Sequence, residues 1–264
     1  MKTDLLIIDP QNDFCDPNGS LFVPGADEDI KRLSSFISKN RSKINDIHVT
    51  MDMHHQIDIA HPIFWIDSNG NHPNPFTIIS LDDIKTGKWT TTNPHFLIRA
   101  TKYVQTLADN GRYLLCIWPP HCLIGGEGSN IHPELFSVLL EWEKEEFGMV
   151  NYVTKGSNYL TEHYSAVQAE VPDSEDPSTQ LNIQLIETLQ KVDRILISGQ
   201  ALSHCVKFTI EDIADNFGKE NIEKFVLLED TSSSVEGFES QGDEFIQNMV
   251  TRGMSIAKST EFLK

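Results

Sequence analysis

Short apolar runs alternate along the chain with segments in which apolar residues recur at helical spacing. The runs predict a buried strand at residues 5–8 and further strands at residues 47–51, 150–154, 195–198, 225–228 and 255–257. Helical periodicity lies between them, at residues 30–37, 181–189, 206–217 and 245–250. This alternation predicts a doubly wound α/β fold, in which helices cover both faces of a parallel sheet. Right-handed crossovers would bring the carboxyl ends of the strands to one edge, where ligands bind.

Two stretches interrupt the alternation. Residues 62–112 are rich in proline, asparagine, glycine and threonine, and they end in a helical segment near residues 96–109. The residues that follow, 113–117, predict an extra strand, and residues 172–177 predict an acidic loop. The chain shows no internal repeat and no linker. We therefore expect one domain over residues 1–264, with an insertion near residues 62–112.

Composition narrows the class of protein. A net charge of −18 over 264 residues argues against a nucleic-acid partner, whose phosphates need a basic face. No apolar run approaches the roughly 20 residues that span a bilayer, and the first run is too short for a signal peptide. We therefore expect a cytoplasmic protein without membrane contact. The four cysteines are scattered without a CxxC pair, which predicts free thiols.

Polar residues with catalytic chemistry lie at the ends of the predicted strands. Asp9 follows the first strand, Asp52 and His54 follow the second, and Lys155 follows the third. Cys205 lies shortly after the fourth strand and opens a helix. Because parallel strands end at the same edge of a sheet, we expect these side chains to converge there.

Cys205 is the candidate nucleophile. It lies in a turn of small residues, 199–206, where backbone N–H groups and the helix dipole favour a thiolate. Lys155 would lower the pKa of this thiol further, and Asp9 would accept and return its proton. The alternative is a buried structural thiol, which is the commoner fate of a cysteine. The lysine and aspartate partners favour the nucleophile.

Asp52 and His54 are the candidate metal ligands. Alternate residues that leave a strand can point into one site, and a carboxylate with imidazole suits zinc, iron or manganese. His121 offers a third ligand, since the two prolines before it fix its backbone. An Asp-x-His pair alone is equally typical of a surface loop. His55 and His61 compete for the same role, and spacing excludes neither.

Five short motifs occur in order along the chain. They are Asp-Pro-Gln-Asn-Asp-Phe at 9–14, Asp-Met-His at 52–54, Trp-Pro-Pro-His at 118–121, a lysine at 155 followed by Glu-His-Tyr-Ser-Ala at 162–166, and the turn at 199–205. In this order they resemble the nicotinamidases of the isochorismatase-like cysteine hydrolase superfamily. The resemblance covers residues 4 to about 257.

The resemblance has consequences for the fold and the site. It implies a central parallel sheet of about six strands, ordered 3-2-1-4-5-6. It implies a catalytic triad formed by Asp9, Lys155 and Cys205. It implies one divalent transition metal, zinc before iron or manganese, completed by waters and held by Asp52, His54 and His121.

The same resemblance implies how substrate would be held. A cis peptide at Gln200–Ala201 would allow the backbone N–H groups of Ala201 and Cys205 to form an oxyanion hole. Phe14 and Trp118 would flank an aromatic ring of the substrate. Both side chains are equally suited to packing in the core, and the sequence does not decide between these roles.

Three departures from the family pattern fall where substrate would be chosen. The stretch between His54 and His121 is much longer than in compact bacterial nicotinamidases. Residues 125–128 read Gly-Gly-Glu-Gly where a more polar run is usual. Residues 202–204 read Leu-Ser-His where compact members often carry Thr-Glu-Tyr. The reaction class is therefore better determined than the substrate.

The expected activity is hydrolysis of nicotinamide to nicotinate and ammonia through a thioester on Cys205. One alternative is a related hydrolase that acts on another amide or on an N-carbamoyl compound, although carbamoyl hydrolases usually lack the metal residues. Vinyl-ether isochorismatases lack the cysteine. A non-catalytic binding domain is the other alternative, and it would not need the whole triad. The partner expected is a small amide, and a homo-oligomer remains open.

Overall fold

The protein's structure, a computed structural model, describes residues 1–262. These residues contain ten strands: β1 (Thr3–Ile8), β2 (Asp46–Asp52), β3 (Trp65–Ile66), β4 (Ile78–Ile79), β5 (Thr90–Thr91), β6 (Leu115–Cys116), β7 (Asn151–Lys155), β8 (Arg194–Gly199), β9 (Phe225–Leu228) and β10 (Ser255–Ala257). They also contain eight α-helices: α1 (Asn12–Cys15), α2 (Ala26–Asn40), α3 (Leu81–Lys85), α4 (Leu97–Asn110), α5 (Pro133–Glu146), α6 (Ile183–Gln190), α7 (Lys207–Phe217) and α8 (Glu239–Arg252).

The main sheet has six strands in the order β7-β2-β1-β8-β9-β10. Every neighbouring pair is parallel. Counted along the chain, these strands are ordered 3-2-1-4-5-6, and helices connect them. The predicted doubly wound fold is confirmed. Within residues 1–262 no helix has both the length and the apolar character needed to cross a membrane.

The central strand β1 carries the core. Its residues from Leu5 to Ile8 are completely buried, and full burial of such a side chain stabilises a fold by roughly 1.5–3 kcal/mol. Helix α2 presents Ile30, Leu33 and Ile37 to the same core at helical spacing. The other five strands of the main sheet lie on the two sides of β1, with β2 and β7 on one side and β8, β9 and β10 on the other.

Gly199 ends β8 against β1. Its φ is +120°, and a Cβ at this position would lie 2.0 Å from the carbonyl oxygen of Ile8. Only glycine fits, because every other residue adds a Cβ and resists this backbone conformation. The close approach brings the turn after β8 beside Asp9, which directly follows β1.

The sequence predictions differ from the structure in two details. Asp52 and Lys155 were expected just beyond their strands, but each is the last residue of its strand, and the two are paired in the β2–β7 register. The extra strand predicted at residues 113–117 is the short β6. It pairs antiparallel with β4 outside the main sheet, because the insertion supplies that partner. A second small sheet joins β3 to β5.

A charged cluster ties the insertion to α7. The guanidinium of Arg112, just beyond α4, lies 3.5 Å from the carboxyl of Glu170 and 3.1 Å from that of Asp212. Burial raises the pKa of Glu170 to about 8, although Arg112 opposes the rise. Near neutral pH, Glu170 is therefore mostly protonated in the folded protein.

Glu170→Gln tests this burial. The folded protein binds the Glu170 proton more tightly than the unfolded chain, whose pKa is about 4.3, so wild-type stability should fall as pH rises from that value to about 8. Glutamine stays neutral, so the variant should match wild type near pH 4 and exceed it near pH 9. The gain should be a few kcal/mol, since a tenfold change in proton affinity is worth about 1.4 kcal/mol. Urea unfolding measures both free energies, and equal stabilities near pH 9 would contradict the assignment.

Candidate functional site

A buried ammonium group lies at the centre of the site. The Nζ atom of Lys155 is 3.0 Å from Oδ2 of Asp9 and 3.1 Å from Oδ1 of Asp52. It donates hydrogen bonds to the carbonyl of His163 at 2.8 Å and to Sγ of Cys205 at 3.7 Å. Burial alone would lower the pKa of Lys155, but the two carboxylates raise it well above its ordinary value. Lys155 therefore stays charged and contacts Asp9, Asp52 and Cys205 at once.

Asp9 is held by the neighbouring strand. Its N–H donates to Thr50, whose hydroxyl donates back to Oδ1 of Asp9 at 2.5 Å. The other oxygen, Oδ2, forms a 3.0 Å ion pair with the Lys155 ammonium. Burial raises the pKa of Asp9, and Lys155 opposes that rise. The Asp9 carboxylate, within 4.8 Å of the Cys205 sulfur, can accept a proton from that thiol.

Cys205 lies in a π-helical turn, Leu202–Val206, that leads into α7. Its sulfur is within 4.8 Å of a carboxylate oxygen of Asp9 and of Asp52. Burial raises the pKa of the Cys205 thiol well above its ordinary value, and Lys155 only partly opposes this. The expected lowering of this pKa was therefore wrong for the resting site, because burial and the two carboxylates outweigh the ammonium. The thiol must lose its proton to a nearby base before it can attack.

The turn before Cys205 supplies backbone donors. The Gln200–Ala201 peptide is cis, as the sequence resemblance implied. The carbonyl of Ala201 accepts hydrogen bonds from the N–H groups of His204 and Val206, which closes the turn. The N–H of Ala201 donates no hydrogen bond to any described residue. It is therefore available to an oxygen atom beside the thiol.

Asp52, His54 and His121 come together beside Lys155. One ligand atom of each lies within 4.8 Å of the others, and all three residues are buried. Oδ2 of Asp52 is 3.0 Å from Nε2 of His54 and 3.7 Å from Nε2 of His121. A carboxylate and two imidazoles, without thiolate, form a donor set that suits a divalent transition metal.

Hydrogen bonds fix both imidazoles in the form that binds metal. Nδ1 of His54 lies 3.0 Å from a carboxylate oxygen of Asp58, and Nδ1 of His121 lies 2.8 Å from the carbonyl of Pro119. Both partners can only accept, so each Nδ1 carries a proton, and Nε2 is the nitrogen of each ring that would bind a metal. Nε2 of His54 is buried and has no hydrogen-bond partner in residues 1–262. The residues present therefore fit a metal.

The two competing histidines lie in different surroundings. His55 is exposed, whereas Asp52, His54 and His121 are all buried. His61 is fully buried, with its ring centroid 5.3 Å from that of His54 and 5.5 Å from that of His121. Burial lowers the pKa of His61 to about 4, so it is neutral. His61 supports the rings of the two candidate ligands, and its ligand atoms do not join their close group.

The cavity over Cys205 has aromatic walls. Phe14 and Trp118 line it, together with Leu21, Tyr164 and His204. The indole N–H of Trp118 donates to the hydroxyl of Tyr164 at 2.8 Å, which fixes that wall. The cavity volume is about 20 Å³, whereas small-molecule pockets are usually several hundred Å³. Side chains at its mouth must therefore shift before a substrate can enter.

A much larger cavity lies elsewhere. Its volume is about 950 Å³, and Asn12, Glu127, Phe136 and Tyr152 are among the residues that line it. It contains none of the triad or the candidate metal ligands. The chemistry of the side chains, rather than cavity size, identifies the functional site.

Sequence reasoning did not single out several residues of the site. Asp58 orients His54, and Glu162 lines the cavity with one buried oxygen that no described residue bonds. Tyr164 and His204 form part of the aromatic wall. Glu162 and Tyr164 were visible within the fourth motif, and His204 was visible as a departure from the family pattern. Asp58 carried no sequence signal, because its role depends on a contact with a ring four residues away.

Comparison with known proteins places this geometry in context. No protein-family model matches the chain. The nicotinamidase of Escherichia coli is 26% identical over 208 residues, which cover 79% of this chain and 74% of that protein. The nicotinamidase of Saccharomyces cerevisiae is 25% identical over 217 residues, which cover 81% of this chain and 82% of that protein.

Solved structures show the same fold. The yeast nicotinamidase bound to the inhibitor nicotinaldehyde superposes with a TM-score of 0.67 at 20% identity, covering 98% of this chain and 100% of that one. The Acinetobacter nicotinamidase superposes with a TM-score of 0.66 at 21% identity, covering 99% of this chain and 98% of that one. The chain has the isochorismatase-like α/β fold. Within that class its resemblance to nicotinamidases, inferred from five motifs, is confirmed.

Substitution of the candidate ligands tests the metal site. His54→Ala and His121→Ala should each remove most of the metal, whereas exposed His55→Ala should leave about one ion per chain. Asp58→Asn should weaken metal binding about 10-fold to 100-fold, since outer partners orient ligating imidazoles. Atomic emission on purified protein and competition with a chelator measure content and affinity. Equal loss of metal from His55→Ala and His121→Ala would require a different ligand set.

Proposed function

We propose that this protein is a metal-dependent cysteine amidohydrolase that hydrolyses nicotinamide to nicotinate and ammonia. The observation that carries the proposal is the buried Lys155 ammonium, which contacts the Cys205 sulfur, the Asp9 carboxylate and the candidate metal ligand Asp52 at once. Such a set serves nucleophilic attack on a carbonyl. The nicotinamidases of Escherichia coli and yeast, similar over about four fifths of this chain, support the substrate.

The first half of the reaction forms a thioester. The Asp9 carboxylate takes the thiol proton of Cys205, and Lys155 stabilises the thiolate that results. The sulfur attacks the amide carbon, and the N–H groups of Ala201 and Cys205 hold the oxyanion, as an oxyanion hole does. Asp9 then gives its proton to the leaving nitrogen. Ammonia departs, and the acyl group remains on sulfur.

The second half releases the acid. Asp9 takes a proton from water, the water oxygen attacks the thioester carbon, and the sulfur leaves and is reprotonated. The sum is one amide and one water converted to one carboxylic acid and one ammonia. Asp52, His54 and His121 would hold a divalent metal, for which zinc is the first choice and iron or manganese the alternatives. When bound, it would supply Lewis-acid coordination to a substrate nitrogen or to water.

The proposal extends to the protein's organisation. We expect one catalytic domain with an insertion near residues 62–112, which supports the cavity wall where the ring of Phe76 meets that of Trp118 at 5.7 Å. The partner would be a small amide, with Phe14 and Trp118 flanking its ring, and no nucleic acid. A cytoplasmic enzyme of NAD salvage fits this activity. A homo-oligomer remains a question for measurement of solution mass.

Removal of the nucleophile tests the reaction. Cys205→Ala should abolish ammonia release, because no thioester can form, while the melting temperature stays close to that of wild type since alanine fits the same space. Lys155→Met should lower kcat strongly and raise the thiol pKa, measured by the rate of alkylation against pH, because the stabilising cation is lost. Ammonia release by Cys205→Ala near the wild-type rate would show that Cys205 is not the nucleophile.

A panel of amides tests the substrate. Nicotinamide should be turned over much faster than benzamide, because its ring nitrogen can reach the metal, and the margin should shrink when the metal is removed. A site that loses a polar partner commonly loses several powers of ten in discrimination. Competitive turnover of nicotinamide, benzamide and an aliphatic amide measures kcat/KM ratios directly. If the aliphatic amide has the highest kcat/KM, the assignment of nicotinamide as substrate is wrong, and only the assignment to the amidohydrolases still holds.

A further inference from the structure

Two buried polar residues beside the nucleophile have no part in the mechanism above. Ser203 is fully buried, and His204 is 8% exposed and lines the cavity over Cys205. The Ser203 hydroxyl oxygen lies 2.9 Å from Nδ1 of His204, and it accepts a hydrogen bond at 3.1 Å from the N–H of Val235. Residues 202–204 are also where this chain departs from the compact members of its family.

The Ser203 hydroxyl determines which nitrogen of His204 carries hydrogen. Its oxygen already accepts from Val235, and within residues 1–262 the acceptor in reach of its own proton is Nδ1 of His204. If His204 donated instead, a buried hydroxyl would lose its acceptor, which costs roughly 1–3 kcal/mol. Ser203 therefore donates to Nδ1, and the hydrogen of neutral His204 lies on Nε2.

His204 is neutral and its ring is held in place. Burial lowers its pKa to about 3, and the positive charge of Lys207 adds to this. The ring lies edge to face with Trp118 at 5.2 Å and with Phe238 at 4.9 Å between centroids. Nε2 of His204 makes no hydrogen bond to any described residue, yet the side chain lines the cavity. An oriented donor thus remains for a ligand in the cavity.

We propose that His204, oriented by Ser203, is a specificity-determining residue whose Nε2 donates a hydrogen bond to a ring acceptor next to the carboxamide-bearing carbon, and so favours amides that carry such an acceptor over nicotinamide, which does not. His204 directly precedes Cys205, and both side chains line the same cavity. The inference rests on the proposed function, since it takes Cys205 as the attacking group.

Two amides isolate this contact. Pyrazinamide and nicotinamide share the ring nitrogen that the metal could reach, and pyrazinamide adds a second nitrogen next to the carboxamide-bearing carbon. That extra acceptor is the one that Nε2 of His204 would bond. Benzamide lacks both nitrogens. The ratio of pyrazinamide to nicotinamide kcat/KM therefore reports on His204 alone, because the metal contributes to both terms.

The primary variant is His204→Phe, which keeps an aromatic ring against Trp118 and removes the donor. The pyrazinamide to nicotinamide ratio of kcat/KM should fall about fivefold to tenfold relative to wild type, the value of one hydrogen bond. The loss should appear mainly in KM, because the contact exists before the chemical step. Ser203→Ala should shift the ratio in the same direction by less, since it frees the imidazole to change tautomer.

Binding measurements separate this inference from the proposed function. Calorimetry with Cys205→Ala and with Cys205→Ala/His204→Phe gives the dissociation constants of both amides without turnover. The double variant should lose the same fivefold to tenfold preference. An unchanged ratio in both kinetics and binding, or an equal fall for both amides, would overturn the role of His204. If the wild-type protein binds these amides but hydrolyses neither, the proposed function is wrong. The role of His204 is then tested by the ratio of the two dissociation constants alone.

Discussion

The buried ammonium of Lys155 is the constraint on which the rest of the site depends. An unpaired ion of this kind costs several kcal/mol to remove from water, so it persists only with close partners of opposite charge. Asp9 and Asp52 supply them, at 3.0 and 3.1 Å. These two carboxylates also have separate tasks, one beside the thiol and one among the candidate metal ligands. A single cation therefore joins both halves of the site, and neither half can be altered in isolation.

Adjacent strands make this arrangement possible. Asp9 follows β1, Asp52 ends β2 and Lys155 ends β7, and these three strands are neighbours in the sheet. Gly156 then turns the chain with a φ of +84°, and a Cβ there would lie 2.5 Å from Oδ1 of Asp52. Glycine is required at this position because the carboxylate must come close to the ammonium. The register of the sheet thus determines the distances on which the proposed chemistry depends.

Much of the fold and part of the site follow from local patterns. Strands β1, β8 and β9 were predictable because their buried apolar runs are continuous. Asp9, Asp52 and Lys155 were predictable because each lies at the end of a predicted strand. The high pKa of Cys205 was not, since it depends on how completely the folded chain excludes water. Asp58, the Ser203–His204 pair and the short strands of the insertion depend on contacts that form only after folding. The periodicity of the sequence does not indicate such contacts.

The central claim is that Cys205 carries the acyl group between the two halves of the reaction. Rapid acid quenching during turnover of nicotinamide, followed by intact-mass and peptide mass spectrometry, tests this directly. The account predicts an enzyme heavier by one nicotinoyl group in place of a proton, with the adduct on the peptide that contains Cys205. Full turnover with the adduct on another residue, or with Cys205 unmodified when ammonia release precedes acid release in a burst, would contradict it.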